Sequence, residues 1–248
     1  MTPDGPTSDD AGPSDDAATA DDVTTELGLL LEQVGRGRPL PVDGAVSLLP
    51  GPAGAAVAAI VGLTAHHLVA ADIDPDWLTT RLAGAEIGAP LKPNFLTALG
   101  DQLDAHAGGQ DVLLVCADRD DRPGPSQLDG PTIVDPAALD GRGHPRIDRA
   151  VRYRKDVKVA TVTGGLVTIG RGLAGRWEIS VEVEPSRRGA GVGRALAEYG
   201  RSLVPADALL WAQVHPANVA SLRAFLAAGY APVGAEVLFT REPADPTR

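Results

Sequence analysis

Cysteine, methionine and aromatic residues are scarce in this sequence: of 248 residues one is Cys, one is Met, and Trp, Tyr and Phe contribute three each. The lone Cys116 can neither close an internal disulfide nor build a cysteine zinc site, which excludes a disulfide-stapled secreted scaffold. It lies in the apolar run 112–116, where a small core residue belongs. A long apolar run is also missing. The uncharged stretch 44–71 is broken by Pro50, Pro52, His66 and His67, and its small apolar part is shorter than the roughly 20 residues of a membrane-spanning helix. Basic residues are absent before Arg36. Residues 1–35 hold seven Asp and two Glu, nine of the eleven net negative charges. An acidic chain of this kind is no general nucleic-acid binder. Its N-terminus lacks the features of a secretory or transit peptide, so a cytoplasmic location is expected.

What remains is a folded chain of ordinary composition, 44% hydrophobic and 22% charged, long enough for a sizeable core. Three stretches are expected. Residues 1–36 form an acidic disordered tail, with too little apolar surface to offset ordering entropy, although residues 24–34 also fit a short helix capped by Thr24 or Thr25. Residues 37–145 form an α/β segment: a strand through residues 60–71, a helix entered at Asp74-Pro75-Asp76, a second entered at Pro93, a buried strand over 111–116, and a surface insertion from 117 to 150. Residues 146–244 read as three strands over 151–162, 166–172 and 176–185, a helix from Val192 to Leu203, a strand, a helix from Asn218 to Ala228, and a final strand over 234–240. The fold class is α/β (α+β), a mixed central sheet flanked by helices.

The junction at 181–194 carries the most chemistry. A strand ends at Pro185, and Gly189, Gly191 and Gly193 lead directly into a helix. Free N–H groups and the positive end of a helix dipole bind phosphate oxygens there, and glycine lets the anion approach the backbone. The same glycines also serve a turn that only starts a helix. Arg194-Ala195 after Gly193 excludes a Walker A loop. The string Gly170-x-Gly172-x-x-Gly175 follows a strand but precedes another strand, so it reads as a hairpin turn rather than a dinucleotide site. Adjacent His66 and His67 point to opposite faces of a strand and cannot share a metal, so no metal is expected.

Val183-x-Pro185-x-x-Arg188-x-x-Gly191-x-Gly193 resembles the acetyl-CoA signature of the GNAT superfamily of N-acetyltransferases. Residues 215–230, with Asn218 opening a helix and Gly229-Tyr230 closing it, resemble that superfamily's second signature. The likeness covers about residues 150–244. It implies acetyl-CoA as cosubstrate. Backbone groups of Val181 and Val183 would pair with the pantetheine amides. The N–H groups of Arg188, Gly189, Ala190, Gly191, Val192, Gly193 and Arg194 would hold the pyrophosphate, and Asn218 would contact the pantetheine arm or thioester. The acceptor would be a small-molecule or peptide amine, with no nucleic acid or membrane partner; the oligomeric state is not legible.

Two departures from that pattern bear on catalysis. Phe225 stands where many members carry a thiolate-protonating Tyr, and Gln213 where several carry a Glu base. Tyr199 and Tyr230 are alternative acids. In residues 177–185 the alternation puts Glu178, Ser180, Glu182 and Glu184 on one strand face, either a solvated face or a wet cleft where a carboxylate acts as base. Glu178, Glu182 and His215 are the candidate bases, Glu178 first. The expected activity is acetyl transfer from acetyl-CoA to a primary amine by direct attack. A CoA-binding regulatory or partner-binding module without catalysis, and a purely structural domain, are the competing readings.

Overall fold

The computed structural model describes residues 25–52, 54–117, 128, 130–135 and 143–241. Residues 1–24, and most of the insertion expected over 117–150, lie outside them. In chain order the elements are α1 (Glu26–Gly35), β1 (Val46–Leu49), β2 (Ala58–Leu63), β3 (His66–Ala71), α2 (Pro75–Leu82), α3 (Pro93–Leu103), β4 (His106–Ala107), β5 (Asp111–Cys116), β6 (Thr132–Val134), α4 (Pro145–Tyr153), β7 (Lys155–Val162), β8 (Gly165–Arg171), β9 (Trp177–Val183), α5 (Val192–Gly200), β10 (Leu210–Val214), α6 (Val219–Ala227) and β11 (Ala231–Thr240). The strands make one mixed sheet in the order β1-β3-β2-β11-β5-β10-β9-β8-β7-β6, with β4 on β11. The β1–β3 and β9–β10 pairs are parallel and the others antiparallel.

The segments 37–145 and 146–244 are therefore not separate layers. The C-terminal β11 inserts between β2 and β5, joining the two halves through shared ladders. Strand alternation then divides the core. Leu114, Cys116, Leu210, Ala212 and Ile179 face α5 and α6, with Val192, Leu196 and Phe225 buried among them. Ile60, Val69, Val237 and Phe239 face α2 and α3 through Leu78, Phe95 and Leu99. Leu113, Val115 and Trp211 face the opposite side and meet α1 through Leu27 and Leu31.

That packing moves the tail boundary. Thr25 caps α1 by accepting from the Gly28 N–H at 3.1 Å. Leu27 and Leu31 are 2% and 1% exposed, and each fully buried leucine stabilises by roughly 1.5–3 kcal/mol. Residues 26–36 thus belong to the folded unit and not to the tail. The single strand expected over 60–71 is a hairpin, β2 against β3. Its turn, Thr64-Ala65, lacks the usual Gly or Asn, and Ala65 takes φ 53°, a left-handed conformation costing about 1–2 kcal/mol for a residue with a Cβ.

Residues 145–153, assigned from sequence to the insertion and the start of a strand, form α4. Pro145 sits in its first turn, and Ile147 and Ala150, three apart, are buried. The short strands β1, β4 and β6 are not among the expected elements, and the rest lie close to their expected places. Asp74 caps α2 by accepting from the Asp76 N–H, and Gly172 leads through a short 3-10 turn into β9 as a hairpin connection. Among the described residues no helix is long and apolar enough to cross a membrane, and no three His, Cys, Asp or Glu side chains gather to hold a metal.

Candidate active site

The site grows from a fault in the sheet. β9 pairs with β8 along its whole length, and β10 pairs with β5 along its whole length. Between them β9 and β10 share only the partners Leu210–Trp177 and Trp211–Glu178. Beyond those residues the two strands part and leave a wedge.

The phase of the β8–β9 ladder decides what the wedge offers. Glu184 N–H donates to the Gly164 carbonyl at 2.9 Å, so residues 178, 180 and 182 turn their amides toward β8. Ile179, Val181 and Val183 turn theirs toward β10, into the wedge. The Arg188 Nε donates weakly to the Val183 carbonyl at 3.4 Å, consistent with that orientation. An extended ligand carrying amide groups could form a strand-like ladder along this edge.

At the open end of the wedge the chain turns into α5. Gly189 and Gly191 have φ of 80° and 82°, values that glycine adopts freely. Gly191 is the N-cap and no side chain caps the helix, so the first-turn N–H groups of Val192, Gly193 and Arg194 remain open to an anion. No heavy atom lies within 4 Å of where a Cβ on Gly189 would be. A Cβ on Gly193 would lie 3.5 Å from Val183 Cγ2 and from Ala224 Cβ, which seats the start of α5 directly on the end of β9 and against α6. The backbone of residues 188–194 is therefore gathered at the mouth of the wedge. Arg188 and Arg194 are exposed there, and Arg194 pairs with Glu198 at 2.7 Å. Asn218 is the N-cap of α6, accepting from the Ser221 N–H at 3.1 Å; its oxygen is committed to the cap and its amide N–H groups are left for a ligand.

The carboxylate face of β9 differs from a wet cleft. Glu178 is 6% exposed and accepts from Arg176 Nε at 3.0 Å, Leu173 N–H at 3.2 Å, Arg154 Nε at 3.2 Å and Gln213 Nε2 at 3.3 Å. Burial by itself would raise its pKa, but the charges of Arg176 and Arg154 and the hydrogen bonds outweigh it and hold the carboxyl below the usual range. Arg176 also grips Glu236 of β11 with both terminal nitrogens, at 2.7 and 2.8 Å, and Gln213 donates to the same Glu236 at 2.7 Å. The Arg176 guanidinium lies 5.3 Å over the Trp211 ring. This network ties β9, β10 and β11 together at the root of the wedge. Sequence reasoning missed Arg176 and Glu236 because a pair 60 positions apart leaves no local pattern.

Glu182 is half-buried and pairs with Arg146 of α4 at 2.9 Å, with His144 Nε2 at 3.7 Å. His215, at the end of β10, is exposed, and its Nδ1 accepts from the Ala217 N–H at 3.1 Å. That bond leaves the neutral ring protonated on Nε2, making the outer nitrogen a donor rather than a base. The structure does not bring Glu178, Glu182 and His215 into one cluster: Glu178 belongs to the ion network, Glu182 to α4, and His215 to the α6 approach.

Phe225 and Tyr230 lie in the core, whereas Tyr199 of α5 is only partly buried at its border. Phe225 is 3% exposed and meets Tyr230 edge-on with centroids 4.9 Å apart. Tyr230 donates to the Ala197 carbonyl at 3.3 Å, and burial raises its pKa well above the ordinary value. Cys116 is buried with them.

No family model matches the chain, and no curated protein matches it. Among solved structures it is similar to a GCN5-related N-acetyltransferase from Kribbella flavida (16% identity, TM-score 0.38, 60% of this chain and 64% of that one). It is also similar to one from Sphaerobacter thermophilus (19%, 0.39, 61% and 58%) and to a GCN5-related N-acetyltransferase-like protein from Streptococcus suis (11%, 0.39, 70% and 78%). The chain spans less than two thirds of the length of the first two.

Proposed function

We propose that the chain is an N-acyltransferase that moves an acetyl group from acetyl-CoA to a primary amine, on a small molecule or a peptide, by direct attack. The carrying observation is the wedge: wedge-facing amides of Val181 and Val183 lead to an uncapped helix N-terminus behind two left-handed glycines. Acetyl-CoA, when bound, supplies an activated thioester. The wedge edge suits its pantetheine amides, the open N–H groups of Val192, Gly193 and Arg194 its pyrophosphate, and the Asn218 amide its arm; the Arg188 and Ala190 N–H groups, expected to join them, donate to the Pro185 and Arg187 carbonyls instead. Arg188 and Arg194 add attraction for the anionic cofactor. Cys116, buried in the core, is badly placed to carry an acyl group, which favours the direct route.

An acceptor ammonium must lose a proton before it attacks, so a base matters more than an acid. We assign that role to Glu182. It is half-buried and held by one arginine, whereas the four donors on Glu178 keep that carboxylate a poor proton acceptor. Glu178 and Gln213 instead tie β9, β10 and β11 together at the root of the wedge. His215, with Nε2 protonated, is placed to donate a hydrogen bond.

The buried Phe225, without a hydroxyl to protonate the thiolate, favours a second reading: a CoA-binding regulatory or partner-binding module without catalysis. Free thiol released from acetyl-CoA across an amine panel separates the two. Turnover with any amine supports transfer, and CoA binding by calorimetry with no turnover supports the module. No binding of CoA refutes both.

A further inference from the structure

Away from the wedge, the edge of the sheet carries a second chain of polar groups. His66 opens β3 and is 6% exposed. Its Nδ1 lies 2.9 Å from Asp43 Oδ1, and its Nε2 lies 3.0 Å from Ser47 Oγ of β1. The direction of each bond follows from the groups. The Ala45 N–H first, and His66 next, lower the pKa of Asp43 and keep it ionised. A carboxylate only accepts, so the ring proton sits on Nδ1 and is donated to Asp43. Nε2 then presents a lone pair, and Ser47 donates its hydroxyl proton to it. A hydroxyl in contact with a base whose other nitrogen is oriented by a carboxylate is the arrangement that activates serine.

The surroundings supply two further parts. β1 ends the sheet, and the His67 N–H donates to the Ala45 carbonyl at 3.0 Å. Residues 45, 47 and 49 therefore turn their amides toward β3, and Leu48 turns its N–H to the open edge, one residue after Ser47. A donor there can receive negative charge developing on a carbonyl oxygen bound at Ser47. Val42 and Ile87 are 71% and 52% exposed, and Ile87 Cδ1 lies 3.9 Å from where a Cβ on Gly44 would be. Apolar surface thus flanks the Asp43–Ala45 turn, suited to an uncharged acyl or alkyl group.

We propose that Ser47 is the nucleophile of a second site on this chain, with His66 as its base and Asp43 orienting the ring, and that the site hydrolyses small uncharged carboxylic esters. Ser47 Oγ bonds to the ester carbonyl carbon while its proton passes to His66 Nε2. The bond to the alkoxy oxygen breaks, and the alcohol leaves with that proton. Water, deprotonated by the same Nε2, then attacks the acyl-serine, releases the carboxylic acid and restores the Ser47 hydroxyl.

The test uses the full chain with p-nitrophenyl acetate and, separately, with an alkyl fluorophosphonate. The expected result is p-nitrophenolate release and a phosphonyl adduct mapped to Ser47 by peptide mass spectrometry. Ser47→Ala should abolish both, and His66→Gln should lower the rate by about 10²–10⁴. An adduct elsewhere, no adduct, or release by Ser47→Ala at the wild-type rate would overturn the proposal. If Ser47→Ala fails to fold, Ser47→Cys decides. Fast alkylation of the introduced thiol at neutral pH, lost in the His66→Gln background, supports an activating base. Alkylation no faster than that of a free thiol refutes it.

Discussion

Replacing Arg176 by Met tests the reading of the wedge root most directly. The guanidinium is 4% exposed and lies between Glu178 and Glu236, whose side chains are 7% and 1% exposed. Methionine keeps the length of the side chain and removes the cation, leaving two buried carboxylates with Arg154, Gln213 and the Leu173 N–H as counterweights. Removing one partner from a buried ion pair costs about 3–5 kcal/mol. For a chain of this size each kcal/mol moves the melting temperature by roughly 2–4 °C. Thermal melts followed by circular dichroism at pH 7 should therefore fall by about 6–20 °C, the product of those two ranges.

The pH dependence gives a second check. Glu178 has a depressed pKa in the folded protein, so its contribution in the wild type is present above the unfolded-state glutamate pKa of about 4.3 and is lost as the pH falls through the lower folded value. In Arg176→Met the sign reverses, because taking up a proton relieves repulsion between the two buried carboxylates. The gap between wild type and variant should narrow from pH 7 to pH 5. Adding Glu236→Met, which replaces the whole pair by apolar groups of similar volume, should recover most of the loss. A single variant that melts within about 2 °C of wild type at pH 7, below the range just worked from the pair cost, would refute the network as the tie between β9, β10 and β11.

Other expectations follow from the same geometry. Gly191→Val, at φ 82°, should weaken CoA binding at least tenfold by calorimetry while the variant stays folded, since a branched Cβ strains the turn and crowds the anion site; unchanged affinity would place the pyrophosphate elsewhere. Glu182→Gln should lower kcat by about 10²–10⁴ with little change in CoA affinity, and Glu178→Gln should chiefly lower the melting temperature; a folded Glu178→Gln protein that loses kcat while Glu182→Gln keeps it would return the base role to Glu178. Deleting residues 1–22, which precede the Thr25 cap, should leave the melting temperature and CoA affinity unchanged, whereas Thr25→Ala should cost about 1 kcal/mol in urea titration.

The sequence by itself determined the parts whose signals are local. Asp74-Pro75 starts a helix because a carboxylate reaches an N–H two residues on and proline suits a helix's first turn. The Gly-rich junction at 189–193 announces a strand-to-helix turn because only glycine adopts positive φ freely. Alternation over 177–183 fixed which side chains share a face. Thr64-Ala65 hid its turn because neither residue is a turn former, and α4 was hidden by the charges around Ile147 and Ala150. Only the tertiary structure decided what the shared face meets. Glu178 read as a base because strand alternation says nothing about the opposing surface, and the partners that hold its charge include Arg154 and Gln213 from distant parts of the chain as well as Arg176 two residues before it. The parting of β9 from β10 and the Asp43–His66–Ser47 chain are likewise products of strand order. Ladder register and long-range pairing bring such groups together, and neither leaves a trace in neighbouring residues.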